Sequence, residues 1–162
     1  MANVAYYLKI QGIDGESEDA NHKGEIEVQS WSWGETNSGS FASGTTGGGT
    51  GKVAMQDFHF TMPVNKASPN LMRACADGTH IDEATLSCQK FGGKADDYLT
   101  ITFRHVLISS YQTGGSPGDV LPSEQISFNF AEIEYEYKQQ NTKGGNVGQP
   151  VVVTWNLAKH TK

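Results

Sequence analysis

Period-two alternation of apolar and polar residues runs through most of the chain and predicts strands rather than helices. In the first segment Val4, Tyr6, Leu8 and Ile10 share one face, with Lys9 and Gln11 on the other. Residues 25–33, EIEVQSWSW, set Ile26, Val28, Ser30 and Ser32 against Glu25, Glu27, Gln29, Trp31 and Trp33. VAMQDFHFTM, beginning at Val53, places Ala54, Phe58, Phe60 and Met62 on one side. ATLSCQK (84–90), YLTITFRHVLISS (98–110), ISFNFAEIEYEY (126–137) and VVVTWNL (151–157) complete seven expected strands. Asp14-Gly15, Gly92-Gly93, Gly114-Gly115 with Pro117-Gly118, and Gly144-Gly145 with Gly148 supply turn chemistry between them.

The segment 126–137 changes phase. Ile126, Phe128 and Phe130 align, whereas Ile133, Tyr135 and Tyr137 fall on the other parity. A β-bulge near Ala131 would restore a single apolar face. Burial of both faces, one of them by a neighbouring subunit, is the expectation favoured here, with Glu132, Glu134 and Glu136 needing a wet face. The one helix signal is SPNLMRACADG (68–78): Ser68 as N-cap, Pro69 at the first position, Leu71, Met72 and Cys75 on one face, and Gly78 as a left-handed stop. One short helix among seven strands predicts a mainly β domain, a β-barrel of two packed antiparallel sheets with the helix flanking an open side.

The chain of 162 residues has the length of one domain, with neither an internal repeat nor an interdomain linker. Its formal charge of -6 and singly scattered Lys and Arg disfavour a nucleic-acid partner. No stretch approaches a membrane span, so no membrane partner is expected. MANVAYYLKIQGIDGE lacks the basic-then-apolar pattern of a signal peptide, which predicts that any export bypasses the general secretory route. Cys75 and Cys88 read as two reduced thiols of a chain folded in the cytosol.

The most unusual stretch is SGSFASGTTGGGTGK, Ser38 to Lys52. A phosphate-binding loop needs glycine five residues before the Gly-Lys pair and a hydroxyl after the lysine. Thr46 and Val53 occupy those places, and a strand follows instead of a helix. Asp57 and His59 would share a strand face and suggest a small metal-dependent hydrolase, but no second pair has ligand spacing. No serine stands in a nucleophile-elbow sequence, and the Glu132, Glu134 and Glu136 series reads as a solvated face. Trp31 and Trp33 could form a sugar platform on a monomeric carbohydrate-binding β-sandwich, although core or interface burial suits them better. No enzyme, cofactor or metal centre is expected.

The ordered set SWSWG (30–34), the serine/glycine loop ending GKVAMQDFHF, SPNLMRACADGTHIDEATLSC, YLTITFRHVLISSYQTGGS, ISFNFAEIEYEY and a late WNL resembles the Hcp (haemolysin-coregulated protein) family. That family provides the tube subunit of the bacterial type VI secretion system. The likeness runs from about Tyr7 to Leu157. It implies a homo-hexameric ring that stacks into a hollow tube, is driven out of the cell by a contractile sheath, and binds effector cargo in its cavity. A tube-tip spike protein, the sheath and small effectors are the implied partners. The extended loop falls on Ser38–Lys52, reaching an adjoining subunit and the next ring through Ser38, Gly39, Gly44, Gly47, Gly48, Gly49, Gly51 and Lys52. Thr45, Thr46 and Thr50 depart from a purely glycine arm and stiffen it. The lateral helix falls on 69–76, Ser32 faces the lumen, and Trp31, Trp33, Tyr135 and Tyr137 are the expected interface aromatics.

Overall fold

The computed structural model describes residues 4–39, 52–91, 96–140, 147–159 and 161. The glycines at 44, 47, 48, 49 and 51 lie outside the described residues. Eleven strands are described: β1 (Val4–Ile10), β2 (Ile26–Val28), β3 (Ser30–Ser32), β4 (Glu35–Asn37), β5 (Val53–Met55), β6 (Phe58–Pro63), β7 (Ile81–Lys90), β8 (Asp96–Gly114), β9 (Ser123–Asn129), β10 (Glu132–Tyr137) and β11 (Val151–Asn156). The helix α1 (Ser68–Asp77) sits between β6 and β7 in the chain. Three expected strands are each two strands. EIEVQSWSW breaks at Gln29, VAMQDFHF at Gln56-Asp57, and ISFNFAEIEYEY at Phe130-Ala131.

Two of these breaks are corners between sheets, and β8 supplies a third. Sheet A runs β2-β1-β7-β8-β10-β11, and sheet B runs β8-β9-β6-β3. The 19-residue strand β8 belongs to both. It pairs with β10 up to Arg104 and with β7 up to Val106, and from Leu107 it pairs with β9. Between those halves His105 has φ 58°, an uncommon backbone for a residue with a Cβ, and the inward parity changes there. Leu99, Ile101 and Phe103 point inward before the corner; Val106 and Ile108 do so after it. At Gln29 the change runs from Ile26 and Val28 to Trp31, and at Ala131 from Phe130 to Ile133. The phase change in 126–137 therefore marks a strand passing from sheet B to sheet A, with both Phe130 and Ile133 delivered to this chain's own core.

The strands do not close into the expected barrel. The hydrogen-bonded path β2-β1-β7-β8-β9-β6-β3 is open, with β10 and β11 branching from β8. Closure requires the end strands to pair side by side. Here β2 and β3 are consecutive pieces of one segment joined through Gln29, lie end to end, and ladder to β1 and β6 instead. The result is an open, two-sheet β architecture flanked by one short helix. A separate hairpin of β4 and β5 pairs Glu35 with Met55 and Asn37 with Val53.

The core between the sheets is aromatic. Phe58 is fully buried, with ring centroids 4.9 Å from Phe103, 5.0 Å from Phe128 and 6.1 Å from Phe60. Such pairs add to the stabilisation from area burial by about 0.5–1.5 kcal/mol each. Helix α1 covers one side through Leu71 and Ala74, while Met72 is exposed. Ser68 is the first helical residue rather than the cap, and the N-cap Ala67 makes no side-chain bond. The Ser68 hydroxyl instead donates to the buried carboxylate of Glu124, which also accepts the Tyr111 hydroxyl. The left-handed stop at Gly78 (φ 67°) is as expected.

The long turn before β2 is held by His22, which is buried although it lies outside every strand. Its Nδ1 lies 2.8 Å from Glu25 Oε2 and its Nε2 2.9 Å from Asp97 Oδ1 at the start of β8. Its ring stacks on Tyr7 at 4.6 Å. Burial pulls the imidazole pKa down, but the bonds to Asp97 and Glu25 together outweigh it and hold the pKa above 6.5. A raised folded-state pKa gives stability that is complete below the unfolded value and is lost as pH climbs through the folded one. The melting temperature is therefore expected to fall as pH rises above 6.5 and through the raised folded-state pKa, and His22→Gln to flatten that fall. Parallel melting curves for the two proteins across this range would contradict the role given to His22.

Candidate functional site

Sheet B buries one face and leaves the other polar. Inward residues on β3, β6 and β9 are Trp31, Phe58, Phe60, Ile126 and Phe128. Their alternates, Ser30, Ser32, His59, Thr61 and Gln125, together with Ser110 and Gln112 of β8, line a shallow depression of about 290 Å³. Ser32 is exposed there, opposite His59 in the β3–β6 register. Short hydroxyl contacts knit the surface. Ser30 Oγ lies 2.6 Å from Thr61 Oγ1, Ser109 Oγ donates to Asp57 Oδ2 at 2.6 Å, and Ser109 and Ser127 hydroxyls are 2.8 Å apart. This face carries small neutral hydrogen-bonding groups in quantity, and Asp57 is already engaged by a serine.

The chemistry weighed from sequence does not assemble. Trp31 is not a sugar platform, since its ring stacks on Phe58 at 6.1 Å and meets Tyr6 edge-on at 6.1 Å. Trp33 lies 6.4 Å from Phe130, and its indole Nε1 is buried without a hydrogen-bond partner among the described residues. Among the described residues no group of three or more His, Cys, Asp or Glu could hold a metal. Cys88 is buried, and burial pushes its thiol up to about 12, so it is an inert core residue.

A second surface has the opposite character. Among the described residues β11 ladders only with β10, its other edge carrying a single bridge from Asn156 to Thr161, and Val151, Val152 and Val153 are exposed on both of its faces. Tyr135 registers with Val153 and Tyr137 with Val151, so the two tyrosines and two valines form one exposed apolar strip. On the other face Arg104 reaches Glu83 at 3.6 Å, Glu134 at 3.8 Å and Glu132 at 3.9 Å. The three valines went unread as a surface because a run of apolar residues resembles a doubly buried strand. Thr61, Gln112 and Gln125 were missed, and His59 was weighed only with Asp57, because three separate segments bring these residues together, although the outward parity of each strand was visible.

Of the expected arm, Ser38, Gly39 and Lys52 are described. Ser38 Oγ donates to the Lys52 carbonyl at 3.5 Å, and the Gly39 amide donates to Asn37 Oδ1 at 2.7 Å. These residues stand where β4 ends and β5 begins.

A two-sheet β subunit with a polar sheet face and an apolar strip at a strand edge presents surfaces of the kind found in structural assembly proteins. The comparisons agree. The family model described as "Type VI secretion system effector, Hcp" matches residues 7–137. Protein hcp1 of Pseudomonas aeruginosa is 42% identical over 160 residues, 98% of each chain. A solved type six secretion system protein superposes with a TM-score of 0.92 at 32% identity, covering 98% of this chain and 99% of that one. Hcp1 from Salmonella typhimurium gives a TM-score of 0.79 at 32% identity, covering 99% and 98%. The chain belongs to the Hcp family of the type VI secretion system, and it is a structural, secreted, tube-forming component rather than an enzyme.

Trp31→Ala separates a packing role from a ligand-binding one. It is expected to lower folding stability by about 2–4 kcal/mol, below the range for a fully buried tryptophan because Trp31 is half-buried. Chemical denaturation measures this, and an unchanged midpoint would contradict the packing described.

Proposed function

We propose that six copies associate head-to-tail into a ring, that rings stack into a hollow tube, and that the polar face of sheet B lines the channel. The observation that carries this reading is the contrast between the two surfaces. An apolar strip at a strand edge is unfavourable against water and suits burial by another subunit. A face of serine, threonine and glutamine can hold cargo by weak hydrogen bonds and still release it. A heterologous contact repeated through a closing rotation makes a ring, and stacked rings make a filament.

In this reading Ser32 faces the channel, and Tyr135 and Tyr137 lie at the contact between subunits. Trp31 and Trp33 support that wall from behind, being packed on the core. The Ser38–Lys52 segment extends from the β4–β5 hairpin to an adjoining subunit and the next ring. The assembly forms in the bacterial cytoplasm, meets a tip spike protein and a contractile sheath, carries small effector proteins, and leaves through the type VI machine.

Negative-stain imaging and mass measurement of the purified chain test the ring. Six-fold particles with a central hole are expected, and Tyr135→Glu combined with Val153→Glu is expected to disperse them into folded monomers. A wild-type protein that stays monomeric at micromolar concentration would overturn the proposal. Ser32→Gln adds bulk to the channel wall and is expected to leave rings intact while reducing co-purified effector several-fold. Equal effector recovery would remove Ser32 from the cargo surface.

A further inference from the structure

The fold brings together two histidines that are far apart in sequence. His80 follows the helix stop at Gly78, and His105 stands at the corner of β8. His80 Nε2 and His105 Nδ1 are 3.2 Å apart, with ring centroids separated by 5.4 Å. On the far side of the first ring, Asp82 Oδ1 lies 3.4 Å from His80 Nδ1. A carboxylate there favours the proton on Nδ1, so that Nε2 accepts the His105 Nδ1–H. Once His105 carries its proton on Nε2 instead, both facing nitrogens offer lone pairs, and a carboxylate behind the ring is the arrangement that orients metal-binding histidines. Both partners are open to solvent, with side-chain exposures of 59% for His80 and 72% for Asp82.

We infer that His80 and His105 form a bidentate site for a divalent transition-metal ion of the kind that prefers imidazole, with Asp82 as the orienting group. Two nitrogens bound at about 2.0–2.1 Å to a tetrahedral ion stand about 3.3 Å apart, close to the separation already present. Nearly head-on rings need only swing by about 35° each to place an ion between them, and exposed side chains make that swing freely. Water fills the remaining positions, since no third protein ligand belongs to the cluster among the described residues. Arg104, the neighbour of His105 in sequence, is engaged with Glu83, Glu132 and Glu134, which offsets its repulsion of a cation. The left-handed backbone of His105, φ 58°, is what turns this side chain at the corner, and strain of that kind recurs at binding sites.

Isothermal titration of Zn²⁺ into the tag-free chain tests the site, and ring formation does not enter the readout. One ion per chain is expected. His80→Gln is expected to weaken binding more than tenfold, as is His105→Asn, which keeps a residue that tolerates the left-handed backbone. Asp82→Asn, retaining both imidazoles, is expected to weaken it about tenfold. Circular dichroism checks each fold, and His80→Gln, lying outside the strands, decides the question if the corner variant unfolds. Absence of stoichiometric binding by the wild-type chain would overturn the inference. So would equal binding by His80→Gln, since the ion would then sit elsewhere.

Discussion

An apolar side that points inward must still point inward after its strand has turned from one sheet into the other. Along a regular strand the side chains alternate, so a chain that changes sheets without shifting parity would aim its next aromatic at water. This protein meets that constraint at Gln29, at His105 and at Ala131, each time by displacing the inward parity by one residue. At His105 the displacement uses a left-handed residue inside β8; at the other two it uses a short break between strands. The aromatic cluster around Phe58 draws on both sides of these corners, taking Phe103 from β8 before its turn and Phe128 from β9. Without the shifts the two sheets would not share a core.

The same constraint explains which parts of the fold were legible in the sequence. Alternation within each segment was sound, so the location of every described strand except the short β4 was visible, as were the helix and its Gly78 stop. Breaks inside alternating runs were harder. The segment 126–137 displayed its phase change openly, yet burial by a neighbour and a corner within one chain produce the same pattern of letters. Only the pairing partners, β6 for one half and β11 for the other, tell them apart. The barrel expectation failed for a related reason. Counting strands says nothing about whether the first and last meet side by side, and here the end strands are one segment bent at Gln29. Ser68 shows the local version of the problem, since a residue that can cap a helix can also reach the buried Glu124.

The functional surfaces were partly legible because they are the complement of the core. Within the short strand β3 Ser32 lies outward because Trp31 lies inward, although 25–33 taken as one strand grouped Ser32 with the core residues Ile26 and Val28. The assembly of a polar face from β3, β6, β8 and β9 depended on tertiary pairing, so Thr61, Gln112 and Gln125 entered only with the structure. A protein whose work is to meet copies of itself concentrates its function in such surfaces, and its sequence carries patterning where an enzyme would carry a motif.

Strand β8 carries a consequence for how the molecule withstands thrust. Nineteen residues of continuous backbone serve first one sheet and then the other, with no intervening loop. Displacement of sheet A relative to sheet B must therefore bend or stretch covalent chain and break ladders on both sides of His105 at once. The two layers cannot slide past each other or melt one at a time, which makes the subunit a single cooperative unit. In the tube proposed above, that continuity makes each subunit a stiff element along the direction of thrust.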